Sequence, residues 1–437
     1  MRAMRYAIRA SLFDFNADPS TSANALRFIE DGLVIVDAGV IDACGEYASL
    51  RAQLDAGTPL LDHSGCLVTP GFVDTHIHLP QIDVIASPAS GLLDWLERHT
   101  FPVETRFADP AVAAEAAHFF LDELARNGTT SALVFGTVHA VSVDALFEEA
   151  LRRNVRLIAG KCLMDRHSPE ALRDTAEQGV RDSADLAARW HGRGRLGYAI
   201  TPRFAASSTP RQLELAGELA RNRPELYVQS HVAENVDEVR LVRELFPDAR
   251  SYLDVYDRVG LLRERSVYAH CIWLDAIDRQ RMQASGAAAA VCPTSNLFLG
   301  SGLFDFRAAL DSRMAITLAT DVGGGQSFSM LDTMRAAHEV ARLKGEPLSA
   351  LQLWYWASRG GAIALGWQDA VGRLAPGFDA DLIVLDPRAT PLIARRTGRA
   401  ESLEEILFAL IVLGDDRVVR ETFVAGHASK TQAWENQ

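Results

Sequence analysis

Four histidines and one aspartate have the types and positions that favour metal chemistry. His76 and His78 are two residues apart at the end of an apolar run, and side chains two apart on a strand point to the same side. His231, His270 and Asp321 each end a further apolar run. Neutral imidazoles together with a carboxylate suit Zn²⁺, with Fe²⁺ as the main competitor. These residues therefore predict a catalytic metal site.

Glu234 is a candidate proton-transfer group because it follows His231 by three positions. A glutamate beside a metal-activated water can shuttle protons between the water and a substrate. Taken alone, the same residue would be interpreted as a solvent-exposed residue that opens a helix. Its position beside a predicted ligand favours the catalytic interpretation.

The elements that would position these residues are apolar runs that alternate with amphipathic, helix-like segments. The runs are Gly71–His76, Thr129–Val138, Arg156–Asp165, Leu196–Arg203, Leu226–His231, Ser266–His270, Ala287–Cys292 and Met314–Asp321. Asp109-Pro110 and Thr209-Pro210 supply helix start signals. Eight strand–helix units in about 300 residues predict an α/β fold of the TIM type, a (β/α)₈ barrel with its chemistry at the C-terminal strand ends. A doubly wound sheet is the alternative, but no G-x-G-x-x-G motif follows an early strand.

The two ends of the chain have a different pattern. Residues 27–48 alternate as in a hairpin, with turns predicted around Asp31-Gly32 and at residues 37–39. Residues 371–386 and 417–426 are again typical of strands. We therefore predict a small β-sandwich domain that is built from both termini and flanks the barrel. The predicted boundaries are 1–69 and 367–437 for the β-sandwich and 70–366 for the barrel.

The amino-acid composition argues against several classes of partner and indicates where the protein is located. The 437 residues are 48% hydrophobic and 23% charged, which excludes a disordered chain. The net charge of −13 argues against nucleic acid or an anionic membrane surface as a partner. No apolar run approaches the ~20 residues of a membrane span, and early acidic residues interrupt any export signal. The five cysteines are scattered without a C-x-x-C spacing, which favours reduced thiols in the cytoplasm.

Several segments resemble the amidohydrolase superfamily over nearly the whole chain. These are residues 70–78, the ordered His231, His270 and Asp321, and the closing residues 372–377 with 379–381. Four further stretches resemble its guanine-deaminating members: residues 78–81, residues 92–98 with 100–102, residues 201–204 and residues 295–302. Some related barrels bridge two metals through a carbamylated lysine on the fourth strand. Lys161 stands on the third run instead, which favours one metal.

The resemblance implies a mononuclear zinc site and a reaction. The implied ligands are His76, His78, His231 and Asp321, and the implied reaction converts guanine to xanthine and ammonia in purine catabolism. A metal-activated water would attack C2 of guanine, and Asp321 would take its proton. Glu234 would deliver protons to the ring nitrogen and the departing amine. His270 would orient the water or the substrate, with direct coordination left open. The implied assembly is a cytoplasmic homodimer.

The resemblance also implies a substrate cavity for a purine base. Gln81 and Arg203 would bind the polar edge of the purine, and Phe204 and Trp95 would supply apolar walls, beside the ligand His231. Arg203 could instead be a surface ion pair, and Trp95 could be an ordinary core residue.

Two other functions stay open at this point. The same site could deaminate another aminated heterocycle, such as a pterin, an oxidised guanine or a triazine. The chain could also be a non-catalytic, amidohydrolase-like binding protein, although such a protein would be expected to lose ligands. A substrate panel and metal analysis separate these alternatives.

Overall fold

The computed structural model describes residues 5–430, and sixteen strands lie within that range. The strands are β1 (Tyr6–Phe15), β2 (Leu26–Asp37), β3 (Val40–Glu46), β4 (Leu60–Pro70), β5 (Phe72–His78), β6 (Thr129–Phe135), β7 (Arg156–Gly160), β8 (Cys162–Leu163), β9 (Leu196–Pro202), β10 (Tyr227–Val232), β11 (Ser266–His270), β12 (Ala288–Val291), β13 (Ala315–Leu318), β14 (Leu382–Leu385), β15 (Val419–Val424) and β16 (His427–Ala428).

Eleven of the seventeen α-helices in the described residues begin at a side chain that caps the helix. The seventeen are α1 (Tyr47–Leu50), α2 (Leu92–Trp95), α3 (Phe101–Thr105), α4 (Pro110–Arg126), α5 (Ala140–Arg152), α6 (Ala176–Trp190), α7 (Pro210–Asn222), α8 (Val236–Leu245), α9 (Tyr252–Asp257), α10 (Ala276–Ser285), α11 (Pro293–Phe298), α12 (Phe306–Asp311), α13 (Met330–Leu343), α14 (Ala350–Tyr355), α15 (Gly361–Ala364), α16 (Pro391–Thr397) and α17 (Leu403–Leu413). Asp109 caps α4 by accepting from the Ala111 N–H, and Thr209 caps α7, as their Asp-Pro and Thr-Pro pairs predict. None of the helices in residues 5–430 is both long and apolar enough to span a membrane.

The barrel consists of parallel strands in the order β5-β6-β7-β9-β10-β11-β12-β13. It closes between its edge strands at their C-terminal ends, where the Asp321 N–H donates to the His76 carbonyl at 3.0 Å and the His78 N–H donates to the Val322 carbonyl at 2.9 Å. Strands such as β6 and β9 are buried along their whole length, which is why they appear in the sequence as continuous apolar runs. The predicted (β/α)₈ barrel is confirmed.

The third apolar run is interrupted at Lys161. The predicted strand 156–165 divides into β7 and β8, and β8 pairs with β9. The Lys161 ammonium is buried and lies 2.5 Å from the Asp174 carboxylate. Lys161 thus forms an ion pair with Asp174, which agrees with the preference for one metal.

Strands from both termini form one hydrogen-bonded sheet in the order β16-β15-β14-β4-β1-β2-β3. Its residues alternate between two sides: Leu12 and Val68 belong to the sheet's own apolar cluster, whereas Phe13 and Leu67 join the main core with the barrel. The separate β-structure built from both ends of the chain is confirmed. The exact domain boundaries stay a prediction.

One turn prediction in this sheet is wrong. The chain turns at residues 38–39 between β2 and β3, but Asp31-Gly32 lies inside the long strand β2. A Cβ at Gly32 would lie 2.4 Å from the Leu12 side chain on the neighbouring strand. The glycine therefore serves a close approach between strands rather than a turn.

Candidate metal centre and substrate cavity

The C-terminal ends of the barrel strands bring four metal-ligand types together. The His78 Nε2 atom lies 3.1 Å from His76 Nε2 and 3.2 Å from His231 Nε2. Asp321 Oδ1 lies 3.2 Å from His76 Nε2 and 3.3 Å from His78 Nε2. The donor atoms of these four buried residues all lie within 4.8 Å of one another. The structure thus brings together the four residues that the sequence suggested as ligands.

The chemistry of this donor set fits a divalent cation. The His231 Nδ1 atom lies 2.5 Å from the Arg203 carbonyl, so the ring donates its Nδ1 proton and leaves a lone pair on Nε2. Burial and the neighbouring histidines hold the pKa of His231 well below its ordinary value, and burial lowers the pKa of His78 to about 3. Neutral nitrogens that face one another in a buried cluster repel unless a cation lies between them. The cluster is therefore a candidate metal centre.

His270 stands beside this cluster with a fixed orientation. Its Nδ1 lies 2.8 Å from Asn296 Oδ1, which leaves Nε2 at 3.3 Å from Glu234 Oε2 and 3.8 Å from Asp321 Oδ2. His270 and Asp321 both adopt positive φ values, 70° and 51°, a strain that concentrates at functional sites. His270 also forms a second metal-compatible group with His76, Cys292 and Asp321, so it stays a candidate ligand.

Glu234 lies between β10 and α8 and is buried rather than solvated. Its Oε1 accepts a hydrogen bond from the Ser301 hydroxyl at 2.8 Å. Burial and then the charge of Asp321 raise its pKa to about 8, against the opposing effect of Ser301. The residue that caps α8 is its neighbour Asn235. The burial of Glu234 contradicts the alternative that it is a solvent-exposed helix-opening residue.

Glu238 accepts hydrogen bonds from the backbone at Glu234 and Asn235, and it was not predicted from the sequence as a site residue. Its Oε2 accepts from the N–H groups of Glu234 and Asn235, and its Oε1 accepts from the Tyr252 hydroxyl at 2.5 Å. Burial and the nearby Glu234 raise its pKa to about 7. The Asn235-x-x-Glu238 capping box was the sequence signal that could have found it.

A cavity opens onto this cluster, at the end of the barrel where enzymes of this architecture bind their substrates. The residues suggested from the sequence that line it are His78, Gln81, Trp95, Arg203, Phe204, His231, Glu234, His270 and Asp321. His76 is buried beside the cavity without lining it. Leu92, Leu96, Leu299, Glu238 and Gly324 also line the cavity and were not predicted as site residues.

Arg203 is buried at the wall of the cavity and is not a surface ion pair. Its Nη1 lies 2.6 Å from Oε2 of the fully buried Glu104, and its guanidinium stacks on the Phe101 ring at 5.3 Å. Burial would lower the pKa of Arg203, but the charge of Glu104 holds it above its ordinary value. Trp95 belongs to the apolar core and also lines the cavity. Sequence reasoning missed Glu104, which lies just after the Thr100-Phe101-Pro102 segment.

A glycine-rich turn packs tightly over the cluster. A Cβ at Gly323 would lie 2.3 Å from the Gln81 carbonyl oxygen, and one at Gly325 would lie 1.8 Å from that of Thr320. The close backbone approach explains the glycines, so only glycine fits at these two positions.

A parallel barrel with buried imidazoles and carboxylates at its C-terminal strand ends has the architecture of a metal-dependent hydrolase. The model of the amidohydrolase family matches residues 67–428. The chain belongs to this family, as the motifs at residues 70–78 and 372–377 predict.

The relatives narrow this assignment. The chain is 45% identical to the guanine deaminase of Escherichia coli (strain K12) over 423 residues, which cover 96% of both chains. The solved structure of E. coli guanine deaminase superposes with a TM-score of 0.95 over 97% of this chain and 99% of that one. A guanine deaminase from C. acetobutylicum, solved with guanine in its active site, is 26% identical with a TM-score of 0.87, over 97% of this chain and 99% of that one.

Proposed function

We propose that this protein hydrolyses guanine to xanthine and ammonia. The observation that carries the proposal is that one cavity joins the metal-compatible cluster, the buried carboxyl of Glu234 and the polar pair Arg203 and Gln81. The similarity to guanine deaminases over nearly the whole length of both chains supports the same substrate. An enzyme of this type removes the C2 amine of the base.

We propose that His76, His78, His231 and Asp321 hold one zinc ion per chain, with Fe²⁺ as the competitor. The three neutral imidazoles and one carboxylate support this choice. A bound zinc ion supplies the Lewis acidity that makes water a nucleophile near neutral pH. Metal analysis of the purified protein should find about one equivalent, and a chelator should abolish activity that added Zn²⁺ restores. Two tightly bound ions, or activity without metal, would contradict this proposal.

Two carboxyl groups around the cluster would carry out the proton transfers. Asp321 is the group that would accept a proton from the attacking water, since its second oxygen, Oδ2, faces His270 Nε2. Glu234 would hold a proton and deliver it to the ring nitrogen and then to the departing amine. The position of Glu234 supports this role, because its buried carboxyl lines the cavity and its Oε2 lies 3.3 Å from His270 Nε2 beside the cluster. His270, oriented by Asn296, would position the water or the substrate.

Arg203 and Gln81 would distinguish guanine from other bases. Guanine offers a carbonyl acceptor at C6 beside an N1–H donor, and a donor-only arginine matches the carbonyl. Adenine presents an amine there, which would face Arg203 donor to donor and leave buried polar groups unpaired. Phe204 and Trp95 would supply the apolar walls, and His231 would contact the base from the metal side.

The test is an ultraviolet assay of guanine loss and xanthine gain with purified protein. Adenine, cytosine, a pterin, 8-oxoguanine and an aminotriazine form the comparison panel. We expect guanine to have the highest kcat/KM in this panel. A higher value for another heterocycle would favour the alternative deaminase, and loss of all turnover in zinc-loaded protein would favour a binding protein. The cytoplasmic location and the homodimer stay predictions, and sedimentation equilibrium measures the second.

A further inference from the structure

Glu104 connects two residues of the cavity wall without lining the cavity itself. The side chain lies on α3 and is fully buried. Its Oε2 accepts from Arg203 Nη1 at 2.6 Å, and its Oε1 accepts from Gln81 Nε2 at 3.3 Å. Among the residues of the described range that line the cavity, Glu104 does not occur. Glu104 can therefore contact a substrate only indirectly, through Arg203 and Gln81.

The Gln81 amide has two orientations that exchange its oxygen and nitrogen. In the structure Nε2 lies near Glu104 Oε1 and 3.2 Å from His78 Nδ1, while Oε1 accepts from the Gly323 N–H at 3.2 Å. A His78 ring that binds a metal through Nε2 carries its proton on Nδ1, which favours the opposite orientation. The carboxylate of Glu104 only accepts hydrogen bonds, so it favours the nitrogen at this position. Glu104 thus opposes the preference of His78.

We propose that Glu104 is a positioning residue that sets the specificity of the cavity; this inference rests on the proposed function. With the amide held as observed, the Nε2 hydrogens of Gln81 face His78 and Glu104. The remaining lone pair of Oε1 is then the group that Gln81 offers to a substrate. Arg203 keeps donors that Glu104 does not use.

The resulting wall presents an acceptor and donors to the base. This pattern complements the N1–H and the C6 carbonyl of guanine. 2,6-Diaminopurine carries the same C2 amine but has a bare N1 and an amine at C6, so its edge has the reversed pattern. The ratio of kcat/KM for these two bases therefore reports the orientation of the Gln81 amide in the cavity wall.

The first test replaces Glu104 with glutamine. Arg203 and Gln81 donate to different oxygens of Glu104, and the single amide oxygen in E104Q can replace only one of them. The Gly323 N–H is then the only one of these contacts that still opposes a turn of the Gln81 oxygen toward His78. We expect the preference for guanine over 2,6-diaminopurine to fall about 10- to 100-fold, as for one mismatched buried hydrogen bond. Bound zinc should stay at the wild-type level. The matched control is E97Q, which removes the same charge from an exposed residue of the adjoining segment and should keep the wild-type ratio.

The second test exchanges the two side chains. In the double variant E104Q/Q81E, the amide introduced at position 104 can accept from Arg203 and donate to the carboxylate introduced at position 81. That carboxylate offers an oxygen to the substrate in either orientation. We expect this variant to recover a guanine preference within about tenfold of the wild type, because the acceptor is restored. If E104Q does not fold, a double-variant ratio below about a tenth of the wild-type value still overturns the role of Glu104.

The outcomes separate this inference from the proposed function. An unchanged ratio in E104Q, or a lowered ratio that the double variant does not recover, overturns the role of Glu104. A zinc-loaded wild-type protein that does not deaminate guanine overturns the proposed function instead. A lowered ratio in E104Q with recovery in the double variant supports the positioning role.

Discussion

Two carboxyl groups at opposite ends of the barrel, Asp379 and Glu234, have opposite electrostatic surroundings. At the N-terminal end, Arg156 and Arg195 donate to Asp379 at 2.6 and 2.8 Å, and Arg195 also donates to Asp381 at 2.8 Å. Burial would raise the pKa of Asp379, but the two guanidinium groups hold it below its ordinary value. At the C-terminal end, burial and then the charge of Asp321 raise the pKa of Glu234 to about 8, although the Ser301 hydroxyl donates to its carboxyl.

This difference favours a structural role for Asp379 and supports the proposed acid–base role of Glu234. Carboxylates with matched guanidinium partners hold the terminal sheet against the bottom of the barrel. A carboxyl that keeps a proton near neutral pH does not strengthen the fold, but it is what an acid–base step needs. The division agrees with the general location of chemistry in barrels. Variants at the two ends should therefore separate activity from stability.

Replacing Glu234 should give the largest effect at the C-terminal end. E234Q keeps the shape and hydrogen-bonding capacity of the side chain but cannot transfer a proton, so kcat should fall at least about 10²- to 10⁴-fold. Bound zinc and Tm should stay at or above the wild-type values. Steady-state kinetics and metal analysis check this, with the exposed E244Q variant as the control. Near-normal turnover in E234Q would mean that another group carries the protons.

Replacing Arg203 should damage both activity and stability. R203M removes the donor that we propose for the C6 carbonyl, and we expect kcat/KM for guanine to fall at least about 100-fold with zinc content unchanged. It also leaves the buried Glu104 carboxylate without its cation, which should cost about 3–5 kcal/mol of stability.

A double variant separates the two effects of Arg203. R203M/E104M removes both buried charges, so stability measured by urea unfolding should recover while activity should not. Recovery of guanine turnover in this variant would show that Arg203 does not bind the base.

The fold could be predicted from the sequence because it depends on local patterns. Buried parallel strands appear as continuous apolar runs, and Thr209-Pro210 marks the start of α7 to the residue. The position of Asp31-Gly32 inside a strand could not be predicted, because the glycine is explained by the close approach of the Leu12 side chain on another strand. Close approaches of this kind depend on tertiary structure and leave no local signal.

The candidate site likewise contains residues that the sequence predicts and a residue that it does not. His76, His78, His231, His270 and Asp321 lie at strand ends, so their common location follows from the barrel topology. Glu104 lies on the short helix α3, and its importance comes from contacts with Gln81 and Arg203, which are distant in sequence and which only the folded chain brings together. A buried carboxylate is not distinguishable from an exposed one in a single sequence.

Replacing Arg195 should affect stability without affecting chemistry. R195M removes charged hydrogen bonds to Asp379 and Asp381, and the loss should be about 1.5–3 kcal/mol. We expect kcat/KM for guanine within about twofold of the wild type, because the residue lies at the opposite end of the barrel. The control R193M removes an exposed arginine two positions earlier that stacks on Trp190 at 5.1 Å, and it should cost under about 1 kcal/mol. A large activity loss in R195M would contradict the division between the two ends.

The pH dependence of stability should show the smallest effects, and it should distinguish Glu234 at the C-terminal end of the barrel from Asp379 at the N-terminal end. In metal-free protein the folded-state pKa of Glu234 is about 8 against an ordinary value of 4.5, so between these values the folded chain binds more protons than the unfolded chain. The Glu234 contribution therefore weakens stability as pH rises through this range. The pKa of Asp379 is lowered, so its contribution is present above its ordinary pKa and is lost as the pH falls through the folded-state value. We would measure the free energy of unfolding by urea, with a chelator present, from about pH 3 to about pH 8. E234Q should change how this free energy depends on pH only near neutrality, and R195M should change it only at acid pH. Identical pH profiles for the two variants would contradict the comparison.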